Sequence, residues 1–310
     1  MTKKVLVTPR SVTRAGHPSL DNLRDAGCEV VFCTAGKQPG EDELRALLPG
    51  CVGYLAGVEP VTARVLEVAT ELRVISRNGT GVDNVDLDAA KARGIAVLRA
   101  EGANARGVAE LAIGLLFALA RGVGPSDAAL KRGAWERQAQ GIELEGKTLG
   151  LAGCGRVGKL VAQMALGIDM KVLSFDPYPD SGFSPGPSFR YAPLDEVFAK
   201  ADFLSLHCPP AADGRPLLDA RALARMKPGA FIINTARYDV FDPGAVLAAL
   251  ESGHVAGVAL DAFDTEPPTD QRLVQHPHVI ATPHLGGFTR ESIDRAMSVS
   301  VENLLAALAV

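Results

Sequence analysis

No apolar run in the chain approaches the roughly 20 residues that a membrane-spanning helix requires. The longest, residues 111–120, stops far short of it. Basic runs are missing too: 32 Lys and Arg are scattered among 36 Asp and Glu, the net charge is -4, and no positive field is available to hold nucleic acid. Cysteine is sparse. Cys28, Cys33, Cys51, Cys154 and Cys208 make an odd number without a C-x-x-C pair, in a chain of 310 residues that needs no covalent staples. They are expected to be reduced, small apolar residues, and no metal is expected. The N-terminal lysines are followed by an apolar run of only Val5, Leu6 and Val7, too short for a secretory signal. These absences predict a cytoplasmic protein, off the membrane, whose partner is a small molecule.

What is present is a rhythm. Short β-branched runs at 4–8, 29–34, 53–56, 73–77 and 96–99 alternate with helical patterns at 19–26, 41–48, 62–69 and 87–93. That alternation predicts an α/β unit with a parallel sheet. It breaks at 105–121, where apolar residues are too continuous for a surface helix and predict one buried between domains or subunits. Beyond Gly146 the alternation restarts, with strand-like runs at 148–152, 171–176, 202–208, 230–236, 255–263 and 279–283. The Pro, Gly and Ser of 177–188 read as a surface loop. The expected fold is α/β, with two Rossmann-like parallel-sheet domains.

Gly153-Cys154-Gly155-Arg156-Val157-Gly158 fits G-x-G-x-x-G. Alone such a triplet is weak, but here it follows a strand-like run and opens a helical one, and Asp176 ends the next strand at close to the expected distance. Each part has a physical task. Gly153 permits the tight turn, Gly155 lets a pyrophosphate approach the backbone, and Gly158 allows close packing of helix on strand. The helix N-terminus receives the phosphates. Asp176 would accept the adenosine ribose hydroxyls and repel a 2'-phosphate, and no Arg follows in Pro177-Tyr178-Pro179, so NAD is expected over NADP. Gly79-Thr80-Gly81 lacks the third Gly and the immediate helix, and is not a second dinucleotide loop.

Arg237, Glu266 and His284 each come just past a strand end of the second unit, where open parallel sheets place their chemistry. Taken singly, a His just ahead of Leu-Gly-Gly is usually a loop residue and a Glu before Pro-Pro usually a solvated turn. Together they supply a guanidinium to fix a carboxylate bidentately, an imidazole to exchange a hydroxyl proton, and a carboxylate to orient that imidazole. Arg10 and Arg77, each at the end of a strand of the first unit, could hold a second anionic group; the alternative, that they make ion pairs, stays open.

The chain resembles the D-isomer-specific 2-hydroxyacid dehydrogenase family, especially its phosphoglycerate dehydrogenase-like branch without a regulatory domain. The marks are residues 76–84 (Ser-Arg-Asn-Gly-Thr-Gly-Val-Asp-Asn), the segment 146–158, Asn234-Thr235-Ala236-Arg237, residues 260–263 with Glu266-Pro267, and Thr282-Pro283-His284-Leu285-Gly286. The resemblance implies an NAD-dependent enzyme that moves a hydride between nicotinamide and C2 of a small 2-hydroxy or 2-oxo acid. It implies a dinucleotide domain over 100–284, inserted into a substrate domain of 1–99 and 285–310, with substrate bound in the cleft and the helix at 290–309 returning to the first domain. Asn78, Gly79, Thr80 and Gly81 would meet the substrate carboxylate. His207, Cys208 and Pro209 would line the adenine site, Thr235 and Asp261 would flank the nicotinamide, and Arg156, Val157, Ala236 and Gly286 would also bind the cofactor. A homodimer through 105–121 is implied as well. Two departures stand out: Tyr238 occupies the position after Arg237 where the family usually has Gly, and Gly57-Val58-Glu59-Pro60-Val61-Thr62 replaces the Arg-Ser-x-Thr common in the phosphoglycerate branch. Glyoxylate or hydroxypyruvate reduction is an alternative, as is a cofactor-sensing protein of the corepressor type, whose extra tails this chain is expected to lack. Formate dehydrogenase would call for Gln in place of Glu266.

Overall fold

The computed structural model describes residues 3–137 and 140–309. The chain divides into two compact units, Met1–Asn104 with Thr289–Val310, and Ala105–Phe288.

In unit 1, strands β1 (Lys3–Val7), β2 (Cys28–Phe32), β3 (Cys51–Ala56), β4 (Val74–Arg77) and β5 (Ala96–Arg99) form a wholly parallel sheet in the order β2-β1-β3-β4-β5. Helices α1 (Arg10–Ala15), α2 (Ser19–Asp25), α3 (Glu41–Leu47), α4 (Ala63–Glu67) and α5 (Leu87–Ala92) make the crossovers. Successive side chains of a strand point to opposite faces. Leu6 therefore joins one core cluster with Leu44, Val65 and Ile75, while Val5 and Val7 join another with Leu20 and Leu23. A parallel sheet covered on both faces demands this apolar run, and Val5, Leu6 and Val7 are all fully buried.

Unit 2 opens with α6 (Ala105–Ala120) and α7 (Val123–Lys131). A seven-stranded parallel sheet follows, from β6 (Thr148–Ala152), β7 (Lys171–Phe175), β8 (Phe189–Tyr191), β9 (Phe203–Leu206), β10 (Ala230–Asn234), β11 (Val255–Leu260) and β12 (Val279–Ala281). Its order is β12-β11-β10-β9-β6-β7-β8. The strand order reverses at β6, with β9 on one side and β7 on the other, and such a switch point is where open α/β sheets bind ligands. Helices α8 (Arg156–Leu166), α9 (Leu194–Lys200), α10 (Ala220–Leu223) and α11 (Pro243–Glu251) cover the faces. α8 buries Gly158, Val161, Ala162 and Ala165, an i, i+3, i+4, i+7 stripe. The last helix, α12 (Arg290–Leu308), is capped by the Thr289 side chain and belongs to unit 1, where Met297, Val301, Leu304 and Leu308 complete the cluster around Val5 and Val7.

The structure adds detail to the helix at 105–120 and differs from the sequence reading at strand ends and short helices. α6 lies against α8, β10 and β11 of its own unit, burying Ala109, Ala112, Leu115, Leu116 and Leu119 while Phe117 stays 42% exposed. Its continuous apolar character thus reflects one face packed on the sheet and another left outward. The runs predicted as strands through 208, 236 and 263 end at Leu206, Asn234 and Leu260, because the residues beyond turn away to build the site. Short helices such as α1 and α10 escaped notice because four to six residues carry too little periodicity. Among the described residues no single helix is long and apolar enough to cross a membrane.

Candidate active site

The site of unit 2 is strung along the C-terminal edge of its sheet. His284 follows β12, Asp261 and Glu266 follow β11, Thr235 and Arg237 follow β10, His207 follows β9, the glycine loop follows β6 and Asp176 follows β7. From β10 to β7 is three strand spacings, about 14 Å, a span that an extended dinucleotide bridges.

At the β6 end the glycines are required by close approach. Gly153 has φ +100°, and a Cβ there would lie 2.7 Å from the His207 carbonyl. A Cβ on Gly158 would lie 2.2 Å from the Gly153 oxygen. Gly155 differs: a Cβ there meets no protein atom within 4 Å, so its lack of a side chain keeps space open above the N-terminus of α8. Arg156 and Val157 form the first turn of that helix. Asp176 accepts the Cys154 N–H at Oδ2 and the Tyr178 N–H at Oδ1, both at 2.8 Å, so the carboxylate that would meet the ribose also fixes the glycine loop. His207 pairs with Ser205 Oγ through Nε2 at 2.8 Å, and burial pushes its pKa down to about 4, leaving a neutral ring. Burial pushes the neighbouring Cys208 thiol up to about 11, which removes thiolate chemistry from this edge. Pro209 beside it is exposed.

At the β10–β12 end the turn that presents Arg237 is locked by Asn234, whose Nδ2 donates to the Arg237 carbonyl at 2.8 Å and whose Oδ1 accepts the Ala236 N–H at 3.0 Å. Arg237 Nη1 donates to the Ala236 carbonyl at 3.0 Å. The Thr235 hydroxyl is buried without a hydrogen-bond partner among the described residues, an orphan suited to a ligand amide. With the open space at Gly155 and the carboxylate of Asp176, this orphan makes the edge a fit for NAD.

His284 Nδ1 lies 2.8 and 3.0 Å from the two oxygens of Glu266. Both side chains remain about half exposed, at 51% and 42%. A carboxylate at Nδ1 fixes which ring nitrogen carries the internal proton. His284 holds φ +54°, unusual for a residue with a Cβ. Buried Asp261 enforces it: Oδ1 accepts from Thr282 Oγ1 at 2.6 Å and from the Leu285 N–H at 2.7 Å, and Oδ2 accepts from the Gly286 N–H at 2.8 Å. Expected beside the nicotinamide, Asp261 spends its carboxylate on the loop that carries the imidazole. Gly286 is crowded, since a Cβ would meet Asp261 Oδ2 at 3.0 Å and Val108 at 3.1 Å.

Unit 1 holds the remaining predicted residues. Arg77 is buried, its Nε donating to the Gly81 carbonyl at 2.9 Å and its Nη1 to the carbonyls of Gly57 and Ala56. It clamps two loops together. Asn78 Oδ1 is buried without a partner among the described residues, Gly79 accepts the Ala100 N–H, and Thr80 Oγ1 donates to Asn104 Oδ1 at 3.0 Å. Arg10 opens α1 and is exposed. Glu59, at the family departure, is fully buried and accepts from Thr8, from Tyr54 at 2.6 Å and from the Gly57 N–H at 2.8 Å, all at Oε1. Sequence reasoning missed the roles of Asn234 and Glu59. An Asn at a strand end is a signal for a side-chain-bonded turn; nothing marked Glu59 for burial, and its partners come from the ends of β1 and β3.

Residues 113–286 match the profile described as "D-isomer specific 2-hydroxyacid dehydrogenase, NAD binding domain". The D-3-phosphoglycerate dehydrogenase of Homo sapiens is 40% identical over 275 residues, covering 88% of this chain and 51% of that protein. That of Mycobacterium tuberculosis (strain H37Rv) is 40% identical over 273 residues, covering 87% and 52%. The chain spans about half the length of these curated relatives. Among solved structures, a protein from Thermus thermophilus superposes with a TM-score of 0.86 at 37% identity, covering 99% of this chain and 97% of that one. A D-2-hydroxyisocaproate dehydrogenase gives 0.85 at 27% identity, covering 97% and 96%. The glycine loop, the Arg, Glu and His of three adjacent strand ends and these likenesses lead to one conclusion: the chain belongs to the D-isomer specific 2-hydroxyacid dehydrogenase family.

Proposed function

We propose that this protein transfers a hydride between NAD and C2 of a small 2-hydroxy or 2-oxo acid. The observation that carries the reading is the His284–Glu266 pair at 2.8 Å, on the same sheet edge as Arg237 and the dinucleotide loop. NAD, held by the glycine loop, Asp176 and Thr235, supplies the hydride acceptor or donor. In oxidation His284 takes the substrate hydroxyl proton at Nε2; in reduction it returns a proton to the oxygen formed at C2. Such general acid–base help typically contributes about 10² to 10⁴ in rate. Glu266 holds the ring through Nδ1 and offsets the positive charge that arises when both nitrogens carry protons. Arg237 pairs with the substrate carboxylate, a task that suits a planar fork of donors.

Unit 1 is the substrate-side unit in this reading, with Asn78, Gly79, Thr80 and Gly81 meeting the acid. The names of the 40% identical relatives support an acid with a second anionic group, phosphoglycerate-like in kind. Arg77 already donates to Gly81, Gly57 and Ala56, so exposed Arg10 is the cation we assign to such a group. A cytoplasmic location suits five cysteines that are all free. A homodimer suits Phe117, Val123, Leu130 and Trp135, which are 42%, 53%, 59% and 77% exposed on and just beyond α6 and α7.

The test is NADH consumption with a panel of 2-oxo acids, including glyoxylate and hydroxypyruvate, and NAD reduction with enantiomerically pure 2-hydroxy acids, each with and without a distal anion. His284→Ala is expected to lose about 10² or more in kcat while still binding NADH. Arg237→Lys is expected to raise KM and lower kcat together, because an ammonium cannot reproduce the bidentate pair. Unchanged turnover in either variant refutes its assigned role.

A further inference from the structure

We propose that Tyr238 is a positioning residue that acts through Phe263 to hold Glu266 against the catalytic imidazole. The inference rests on the roles given above to His284 and Glu266.

Tyr238 opens the 3-10 turn Tyr238–Val240, directly after Arg237, at the position where the family resemblance leads one to expect Gly. Such a side chain could stand over the substrate or turn inward. It turns inward: Tyr238 is half-buried against the core of unit 2. Its ring centroid lies 5.1 Å from that of Phe241 at an interplanar angle of 63°, and 6.3 Å from that of Phe263 at 37°. Both separations fall in the range where aromatic pairs attract.

Phe263 leads directly to the acid–base pair. Its N–H donates to Glu266 Oε1 at 3.3 Å, and the same oxygen lies 2.8 Å from His284 Nδ1. Between β11 and β12 the described chain has no helix or strand to stiffen it, so the place of Glu266 depends on what anchors this loop. One anchor is Asp261 at its start, bound to residues 282–286. Another, nearer Glu266 than the buried Leu273, is the Phe263 ring, which packs beside Tyr238. Tyr238 therefore couples the turn that aims Arg237 to the loop that aims Glu266, so that the two groups keep one spacing.

The phenol is not itself an acid or base of the reaction. Burial, and then Asp264 and Asp270, push its pKa up against the opposing effect of Arg272, so it stays protonated and neutral. The ring is what matters, and Tyr238→Phe should be silent.

The decisive experiment needs neither substrate nor cofactor. Long-range proton–nitrogen NMR correlations of the six histidine rings report which nitrogen carries the proton, and His284→Gln assigns the His284 signal. In mildly alkaline buffer the native ring is expected to carry its proton on Nδ1, facing Glu266. Tyr238→Gly and Phe263→Ala are expected to move His284 toward the Nε2–H form that a solvated imidazole prefers, while Tyr238→Phe keeps the native signal. Tyr238→Leu, which retains apolar bulk and guards against a folding defect in the Gly variant, should fall between. In turnover, Tyr238→Gly should lower kcat and kcat/KM together by roughly tenfold, as expected for a misplaced catalytic group. An unchanged His284 signal in Tyr238→Gly and Phe263→Ala overturns the proposal, as does a Tyr238→Gly variant that changes only substrate size preference. If the signal shifts as expected but no 2-oxo acid is reduced even by the native protein, the positioning role stands and the functional reading falls.

Discussion

Replacing Asp261 by Ala removes the acceptor of three hydrogen bonds that shape the His284 loop. The N–H groups of Leu285 and Gly286 lose their partner, and each buried donor left unpaired costs about 1–3 kcal/mol. Part of this returns when His284, held at φ +54°, relaxes out of a left-handed conformation that costs about 1–2 kcal/mol. The net loss is centred on about 2.5 kcal/mol, which at about 2–4 °C per kcal/mol for a unit of this size lowers the unfolding midpoint by roughly 5–10 °C. Relaxation also swings the imidazole away from Glu266, and a displacement of about 1 Å at a catalytic group costs on the order of 10²-fold in rate. Asp261→Asn should be milder, since an amide oxygen can still accept from Thr282 and Leu285 while its NH2 opposes the Gly286 N–H. Thermal melts near neutral pH and NADH-linked turnover of the best 2-oxo acid measure both effects. If Asp261→Ala melts and turns over like the native protein, this carboxylate is not the anchor of the loop.

Three further outcomes are expected. Gly155→Ala should fold and melt normally, because its Cβ meets no protein atom, yet lose NADH affinity in a fluorescence titration; retained affinity would show that no pyrophosphate passes there. Asp176→Gly should narrow the preference for NAD over NADP and also weaken NAD itself, because the Cys154 and Tyr178 N–H groups lose their acceptor; an unmoved ratio of the two KM values would contradict the ribose role. His207 has a folded pKa near 4 against an ordinary 6.5, so the unfolded chain binds the proton first. Its neutral form therefore supports stability above 6.5, and that support fades as pH falls from 6.5 toward 4. The melting advantage of the native protein over His207→Gln should shrink across that window; a constant gap would argue against a buried neutral ring.

Much of this was legible in the sequence because it is local. The strand, tight turn and helix around Gly153, Gly155 and Gly158 occupy one short stretch, and their glycine requirement is a matter of nearby backbone. Asp176 could be found from its spacing, and Arg237, Glu266 and His284 from their places after β-branched runs. Family likeness placed residues that spacing alone would have left as loops. The destinations of individual side chains were not legible. Spacing left Arg77 between meeting an anion and making an ion pair, and did not show that it donates to the carbonyls of Gly57 and Gly81. Tyr238 stood out only as a bulky residue where the family usually has Gly, and its packing on Phe241 and Phe263 was not legible.

The amino-acid sequence by itself determined the alternation of strands and helices, the dinucleotide loop and the residue types of the acid–base set, since periodicity, turn chemistry and capping act over a few residues. Only the tertiary structure decided that Asp261 would hold the turn of His284 from more than 20 positions away, that Glu59 would be buried against Thr8 from 51 positions away, and that α12 would close the core of unit 1 from the far end of the chain. Those contacts form when the sheets bring distant strand ends side by side, and a pairing across such separations leaves no mark in any short window of sequence.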